Sequence, residues 1–245
     1  MEFKENIEKY LSGKKFSKSF KVDFNINLSK SLFYDRILYL TNISQKKKVI
    51  HVGCVDHMPL IKSKIKDDTW LHKKLSEAST KCVGIDINKD GINFLKKELK
   101  YTNVHYMDIL NSEIPIQIIQ EKWDVMILGE ILEHIDNPVQ FLTKLREKFY
   151  KYVEYLVITV PNAFRFNNFL SSLKHFEHIN SDHRYWFTPY TLSKICTLSN
   201  YKVDSFDMIE NFKTPTSKFV KRYFIKRYPL LRDTIILKLK FNEYE

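Results

Sequence analysis

The residues best equipped for chemistry stand together at Glu130-Ile131-Leu132-Glu133-His134, with Asp182-His183 further along the chain. On a helical turn, positions i, i+3 and i+4 are neighbours, so the spacing predicts that Glu130, Glu133 and His134 converge from one side. Two carboxylates and an imidazole can deprotonate a hydroxyl as a general base, or hold a divalent ion that acidifies it. Glu133, His134 and His183 are therefore the catalytic candidates. Two arrangements are open at this point: a metal centre, or a metal-free turn in which His134 or His183 takes the proton.

A second set of candidates lies at the ends of short apolar runs. VIHVG, KCVGID, VHYMD, WDVMILG and EYLVITVPN end at or near Gly53, Asp86, Asp108, Gly129 and Pro161. Helical patterns separate these runs, through Trp70 to Ser79, Lys89 to Leu99 and Pro138 to Phe149, and a further helix follows Thr188. Each run is apolar on consecutive positions, as strands are when helices cover both sheet faces. With two later β-rich stretches, Tyr201 to Ile209 and Thr234 to Phe241, read as a hairpin-like pair at the edge, the pattern predicts an α/β fold. Its expected core is a single Rossmann-like, doubly wound, mostly parallel seven-stranded sheet with helices on both faces. An amphipathic helix from Leu28 to Leu40 precedes it. The expected organisation is an N-terminal helical cap over residues 1–46 and one domain over 47–245, interrupted by an insertion at 161–187.

In such a sheet a ligand sits beyond the carboxyl ends of the strands. Gly53 lets backbone approach it, and Asp86 can accept both hydroxyl hydrogens of a ribose, which points to an adenosine-type cofactor. A nicotinamide dinucleotide is disfavoured. The loop Gly53-Cys54-Val55-Asp56-His57 lacks the GxGxxG pattern, and Asp86 follows Gly53 by 33 residues where dinucleotide-binding chains have roughly 20. A cofactor without a pyrophosphate, such as S-adenosylmethionine, has less need of a glycine-lined helix N-terminus, so a single glycine is tolerable.

Over residues 48–209 the serial order of VIHVGC, KCVGIDIN, VHYMDIL, WDVMILGEILEHIDNP, PNAF and DHRYWFTPYTL resembles the class I S-adenosylmethionine-dependent methyltransferases. The resemblance implies that His51, Gly53 and Cys54 form the first cofactor-binding motif, that Asp86 holds the ribose hydroxyls and that Ile87 packs on the adenine. It further implies that Asp108 meets the adenine amino group with Ile109 beside it, and that Gly129 lies near the methionine moiety. Two positions depart from the family pattern: His51 stands where an acidic residue is usual, and Val55 where a second glycine is usual. The Gly-Cys-x-Asp-His loop is similar to that of bacterial polysaccharide-cluster methyltransferases. The ExxEH turn followed by Asp182-His183 resembles the metal site of small-RNA terminal 2′-O-methyltransferases, and ExxEH also resembles ubiquinone-pathway O-methyltransferases. Carried over, Glu130, Glu133, His134 and His183 would bind Mg²⁺ or Mn²⁺.

The insertion PNAFRFNNFLSSLKHFEHINSDHRYWF places Asn162, Arg165, Arg184 and Trp186 on the acceptor side. Aromatic faces stack on sugars or bases and arginine pairs with phosphate, so a phosphorylated or nucleotide-linked sugar suits them; a lid whose phenylalanines only pack on the sheet is the plainer alternative. The basic, aromatic segment KFVKRYFIKRYPLLR could dock a nucleic acid, an anionic membrane surface or a phosphorylated glycan, or simply be a solvated helix face. The formal net charge of +11 is compatible with each.

Three unpaired cysteines, Cys54, Cys82 and Cys196, give neither a disulfide framework nor a zinc pattern. A charged N-terminus and strand-length apolar runs give neither a signal peptide nor a membrane span. The expectation is a cytoplasmic enzyme that methylates a hydroxyl of a small carbohydrate or nucleotide-linked acceptor, as in polysaccharide biosynthesis. The alternatives are an RNA ribose 2′-O-methyltransferase and a catalytically silent adenosyl-binding protein.

Overall fold

The computed structural model describes residues 1–26, 35–210 and 219–241. Seven strands form one sheet: β1 (Lys48–Val52), β2 (Lys81–Asp86), β3 (Val104–Tyr106), β4 (Trp123–Gly129), β5 (Val153–Pro161), β6 (Tyr201–Ile209) and β7 (Thr234–Phe241). Their spatial order is β3-β2-β1-β4-β5-β7-β6. The first five are parallel, and β7 runs antiparallel between β5 and β6. The expected edge pair is thus present, but its second strand is the inner one.

Side chains alternate across this sheet with period two. Ile50, Val52, Met126, Leu128, Leu156 and Ile158 enter one buried cluster, whereas Val49, Val125, Ile127 and Val157 enter another on the opposite face. The consecutive apolar runs reflect these two cores. Helices α1 (Arg36–Ser44) and α3 (Leu71–Ala78) cover the second face through Leu40, Leu71 and Leu75. On the first face lie α5 (Pro138–Phe149) and α7 (Pro189–Leu198), through Phe141, Leu142, Leu145, Phe149, Leu192 and Cys196. Between β1 and α3 comes α2 (Met58–Lys66), and α4 (Lys89–Lys97) follows β2. Ile61 of α2 and Ile92 and Leu95 of α4 enclose Val55 and Trp70 in a third cluster. Two further helices, α6 (Phe166–Leu173) and α8 (Phe219–Arg227), lie after β5 and before β7.

The starts of the helices are set locally. Asn88 accepts a hydrogen bond from the Gly91 N–H, Asn137 accepts one from Gln140 ahead of Pro138, and Thr188 and Thr191 form a reciprocal capping box ahead of Pro189. The N-terminal helix differs from expectation. It runs from Arg36 to Ser44, with Asp35 capping it, while Leu28 and Leu32 lie outside the described residues. Ahead of it, Glu2–Phe3 pairs with Phe24–Asn25, and Phe3 and Phe24 pack on Phe206 of β6.

Candidate functional site

The loop after β1 turns at Gly53, whose φ of 76° lies in the left-handed region; a Cβ there would meet Ile131 Cδ1 at 2.7 Å. Asp56 is also left-handed, with φ 61°, and its carboxylate is held by Lys64 at 2.6 and 2.7 Å. Val55, at the position of the missing second glycine, does not obstruct the crevice. Its side chain is buried against Gly91 of α4, where a Cβ would stand 2.2 Å from Val55 Cγ1. The absence of a side chain at Gly91 leaves the space that Val55 fills. Val55 N–H then donates to Asp86 Oδ2 at 2.9 Å, and Asn88 N–H to Asp86 Oδ1 at 2.8 Å. Burial raises the Asp86 pKa, against the opposing pull of these backbone donors. The carboxylate is therefore fixed in direction at the end of β2, beside Ile87, which is 64% exposed. A large apolar side chain left open next to an oriented carboxylate suits a ligand with a flat apolar face and adjacent hydroxyls.

Other members of the expected cofactor set stand elsewhere. His51 points with Val49 to the second core; its Nδ1 lies 3.2 Å from Nδ1 of His72, and burial holds the pKa of both imidazoles below the usual value. Cys54 is fully buried against Gly84 and His72, and its carbonyl accepts from Trp70 Nε1 at 3.1 Å. Ile109 is core. Neither His51 nor Cys54 can present its side chain to the strand tips, because both sit on core-facing positions of the strand and its turn. Asp108 remains at the rim, its oxygens taken by Leu110 N–H and Asn111 Nδ2, which lower its pKa.

Gly129 ends β4 in a tight space, with Arg36 Nη1 and Leu71 Cδ2 at 3.0 and 3.1 Å from the position of a Cβ. Arg36 is a functional candidate that sequence reasoning missed. Its Nε lies 3.4 Å from Glu130 Oε1, and its buried Nη1 has no hydrogen-bond partner. A guanidinium with a buried, unsatisfied N–H facing the strand tips is suited to a carboxylate ligand. A lone arginine carries no motif, so only the packing of α1 brings it to notice.

The ExxEH segment is not one helical turn. Glu130 has φ 57° and precedes a 3₁₀ turn over Leu132–His134. Its side chain turns to Arg36, which removes it from the expected ligand set. The other three do converge: one ligand atom from each of Glu133, His134 and His183 lies within 4.8 Å of the others. Glu133 Oε1 is 4.0 Å from His183 Nε2, and the two imidazoles meet edge to face at 4.7 Å between centroids. His134 Nδ1–H donates to the Asp182 carbonyl at 3.2 Å, which leaves Nε2 as the acceptor nitrogen. Burial lowers the pKa of both histidines, so both are neutral near pH 7. Glu133 is 0% exposed, neither of its oxygens has a hydrogen-bond partner, and burial pushes its pKa up to about 8, with the Glu130 charge adding to it. Such a carboxyl needs a proton or a cation. His57, in the first loop, lies with its ring 6.5 Å from His134.

Among the expected acceptor residues, Asn162 is structural: it is fully buried, and its Nδ2 donates to the carbonyls of Leu230 and Arg232, both at 2.7 Å. Arg184 is a clamp on the site. Its N–H donates to the Glu133 carbonyl at 2.8 Å, and its guanidinium bonds the carbonyls of His134 and Asp182 and the Asp136 carboxylate. Arg165 and Trp186 stay at the opening. The guanidinium lies 4.6 Å from the indole centroid, and Trp186 stands 6.3 Å from the His183 ring.

No protein-family model matches the chain, and no curated protein matches it. Among solved structures the chain is similar to the small RNA methyltransferase HEN1, with a TM-score of 0.52 and 18% identity over 86% of this chain and 25% of that one. It thus spans about a quarter of the length of HEN1. It is also similar to the magnesium protoporphyrin IX methyltransferase ChlM from Synechocystis PCC 6803 with bound SAH, with a TM-score of 0.50 and 14% identity over 83% and 79% of the two chains. At these identities the likeness is one of architecture: the chain has the Rossmann-like fold of these methyltransferases, with a seven-stranded, mostly parallel sheet between helices.

Proposed function

We propose that this chain is an S-adenosylmethionine-dependent methyltransferase that methylates a hydroxyl of a small carbohydrate or nucleotide-linked acceptor. The observation that carries this reading is the oriented Asp86 carboxylate beside open Ile87, on the same strand-tip crevice as the unsatisfied guanidinium of Arg36. Asp86 receives ribose hydroxyls, Ile87 covers the base, and Arg36 pairs with the amino-acid carboxylate. The Gly-Cys-x-Asp-His loop favours a polysaccharide-type acceptor.

When bound, S-adenosylmethionine supplies a methyl group on a sulfonium, open to in-line displacement by an oxygen nucleophile. His134 accepts the hydroxyl proton at Nε2, because its Nδ1–H is committed to the Asp182 carbonyl. Arg184 fixes the turn that carries His134, and Trp186 with Arg165 lines the approach to it. The orphaned, buried carboxylate of Glu133 between two neutral imidazoles also fits a divalent ion, held by Glu133, His134 and His183. With Glu130 turned away the set is one oxygen and two nitrogen donors, which suits Mn²⁺ better than Mg²⁺. Such an ion, when bound, acidifies the acceptor hydroxyl; His134 is then a ligand instead of the base. No helix of the described residues is long and apolar enough to cross a membrane.

Incubation with methyl-labelled S-adenosylmethionine and a panel of nucleotide sugars and short RNAs tests the reading. Expected are label on a sugar hydroxyl and a rise of melting temperature with S-adenosylhomocysteine, roughly 2–4 °C for each kcal/mol of binding. Asp86→Ala abolishes both. Label on RNA alone overturns the acceptor class, and no thermal shift at millimolar S-adenosylhomocysteine overturns the whole proposal.

A further inference from the structure

Helix α6 has the sequence FNNFLSSL, with Phe166, Phe169, Leu170 and Leu173 at i, i+3, i+4 and i+7 and Asn or Ser between them. A surface helix with that stripe ordinarily turns it to the core. Here most of the stripe faces outward. The helix has no buried residue, and Phe169, Leu170 and Leu173 are 55%, 39% and 63% exposed, whereas half-buried Asn168 bonds Arg165 and the Ala163 carbonyl at the start of the helix. The apolar surface continues through Phe176 (51%) and Ile179 (42%), and the Phe166 ring stacks on Phe224 of α8, 5.7 Å between centroids.

Cations border this surface. α8 is fastened from beneath by buried Ile225 and by Lys221, whose Nζ lies 2.7 Å from buried Glu210, so Arg222, Lys226 and Arg227 project outward with Tyr223 and Tyr228. Lys174 lies past the end of α6, and with Arg165, Leu170 and Phe176 it lines a pocket of about 380 Å³ completed by the polar Asn167, Ser171 and His178. No acidic residue lies within α6 or α8.

We infer that the outward face of α6 with the exposed side of α8 docks on an anionic phospholipid bilayer. Exposed Phe and Leu enter the acyl boundary, Tyr223 and Tyr228 sit at the headgroup level, and Arg222, Lys226, Arg227 and Lys174 meet lipid phosphates. The pocket beside Arg165 takes one headgroup. The exposed aromatics could stack on bases, but Leu170, Leu173 and Ile179 add contiguous aliphatic surface that acyl chains bury and base stacking does not use. A second copy of the chain would bring these unpaired cations face to face. The inference is independent of the methyl-transfer reading. Its consequence for the site is that the Trp186 opening, next to Arg165, lies at the bilayer surface.

The test is co-sedimentation of the full chain with vesicles of phosphatidylcholine alone and of phosphatidylcholine mixed with phosphatidylglycerol. Binding is expected for the mixed vesicles only and weakens with salt. The double variant Phe169→Ser/Leu173→Ser and the double variant Arg222→Glu/Lys226→Glu each weaken it about tenfold or more. Ile116→Ser, which removes an equally exposed apolar residue ahead of β4 at the other end of the sheet, leaves it unchanged. Melting curves of the variants report whether they fold, and because these side chains are exposed, they are expected to match the parent. No binding to mixed vesicles at low salt overturns the inference. So does full binding by the serine variant, or binding of single-stranded RNA that the same substitutions abolish while vesicles are ignored.

Discussion

Gly91→Ala puts a methyl group where Val55 already stands, 2.2 Å from Cγ1 and 3.0 Å from Cγ2. The first distance is below any real carbon contact and the second is unusually tight, so either Val55 and its loop shift or the first turn of α4 moves. Overpacking of this kind costs about 1–3 kcal/mol, and the gain in helix propensity from Gly to Ala returns up to about 1 kcal/mol. The net expectation is a loss of about 1–2 kcal/mol, read from urea denaturation. Because the Val55 N–H orients Asp86, S-adenosylhomocysteine should also stabilise this variant less than the parent. In a Val55→Ala background, itself about 1–3 kcal/mol weaker from the lost methyl groups, the two Val55 carbons are gone, Asn88 Cγ at 3.2 Å is the tight contact that remains, and Gly91→Ala should be close to neutral. The double-mutant cycle then shows a coupling of about 1–3 kcal/mol. Equal effects of Gly91→Ala in the two backgrounds would refute the idea that Gly91 is needed to make room for Val55.

Glu133→Gln keeps the shape of a buried carboxyl that is largely protonated near neutrality, since its pKa is about 8. Its urea midpoint should equal or exceed that of the parent while methyl transfer falls by a factor of about a hundred or more; a large loss of stability would show that the carboxylate is a structural ion. The buried His51–His72 pair gives a prediction on pH. Burial lowers the His72 pKa to about 4, so the unfolded chain takes up a proton near pH 6.5 that the folded chain refuses until about pH 4, and the contribution to stability is lost as pH falls through that window. At pH 5 the loss from His72 is about 2 kcal/mol. It is read as the change in the stability difference between the parent and His72→Gln from pH 7 to pH 5, in which the opposing titration of buried carboxyls such as Glu133 cancels; a difference that does not change with pH would exclude a neutral buried His72.

How much of this was legible in the sequence depended on which face a residue takes. All seven strands were: consecutive apolar positions mark β1, β2, β4 and β5 as covered on both sides, while β6 shows in its alternation of apolar and polar residues. The positions of Gly53, Asp86 and Ile87 at the ends of two neighbouring parallel strands were also legible, because each closes or follows an apolar run. His51 and Cys54 sit next to these in sequence, yet period-two alternation sends His51 inward with Val49, and proximity to a motif misled where parity would have informed. α2 passed unseen: in MPLIKSKIK only Ile61 is buried, and a mostly solvated helix leaves almost no periodic trace. Arg36 and Asn162 were opaque for opposite reasons. The first acquires its place through tertiary packing alone, and the second loses its apparent role because the Leu230 and Arg232 carbonyls claim it.

Glu130 shows how one backbone angle changes a chemical assignment. The i, i+3, i+4 argument assumes that the helical turn begins at the first glutamate, and it begins two residues later. A left-handed φ at Glu130 swings that carboxylate towards Arg36 and leaves Glu133 with two imidazoles and no cation of its own. The division is productive for chemistry. A carboxylate already neutralised by a guanidinium is a poor base and a poor ligand, while one stripped of water and partners keeps its proton near neutrality and gives it up when a cation takes its place. The same angle thus separates a carboxylate paired with Arg36 from one buried beside His134 and His183, and it does so between residues three positions apart.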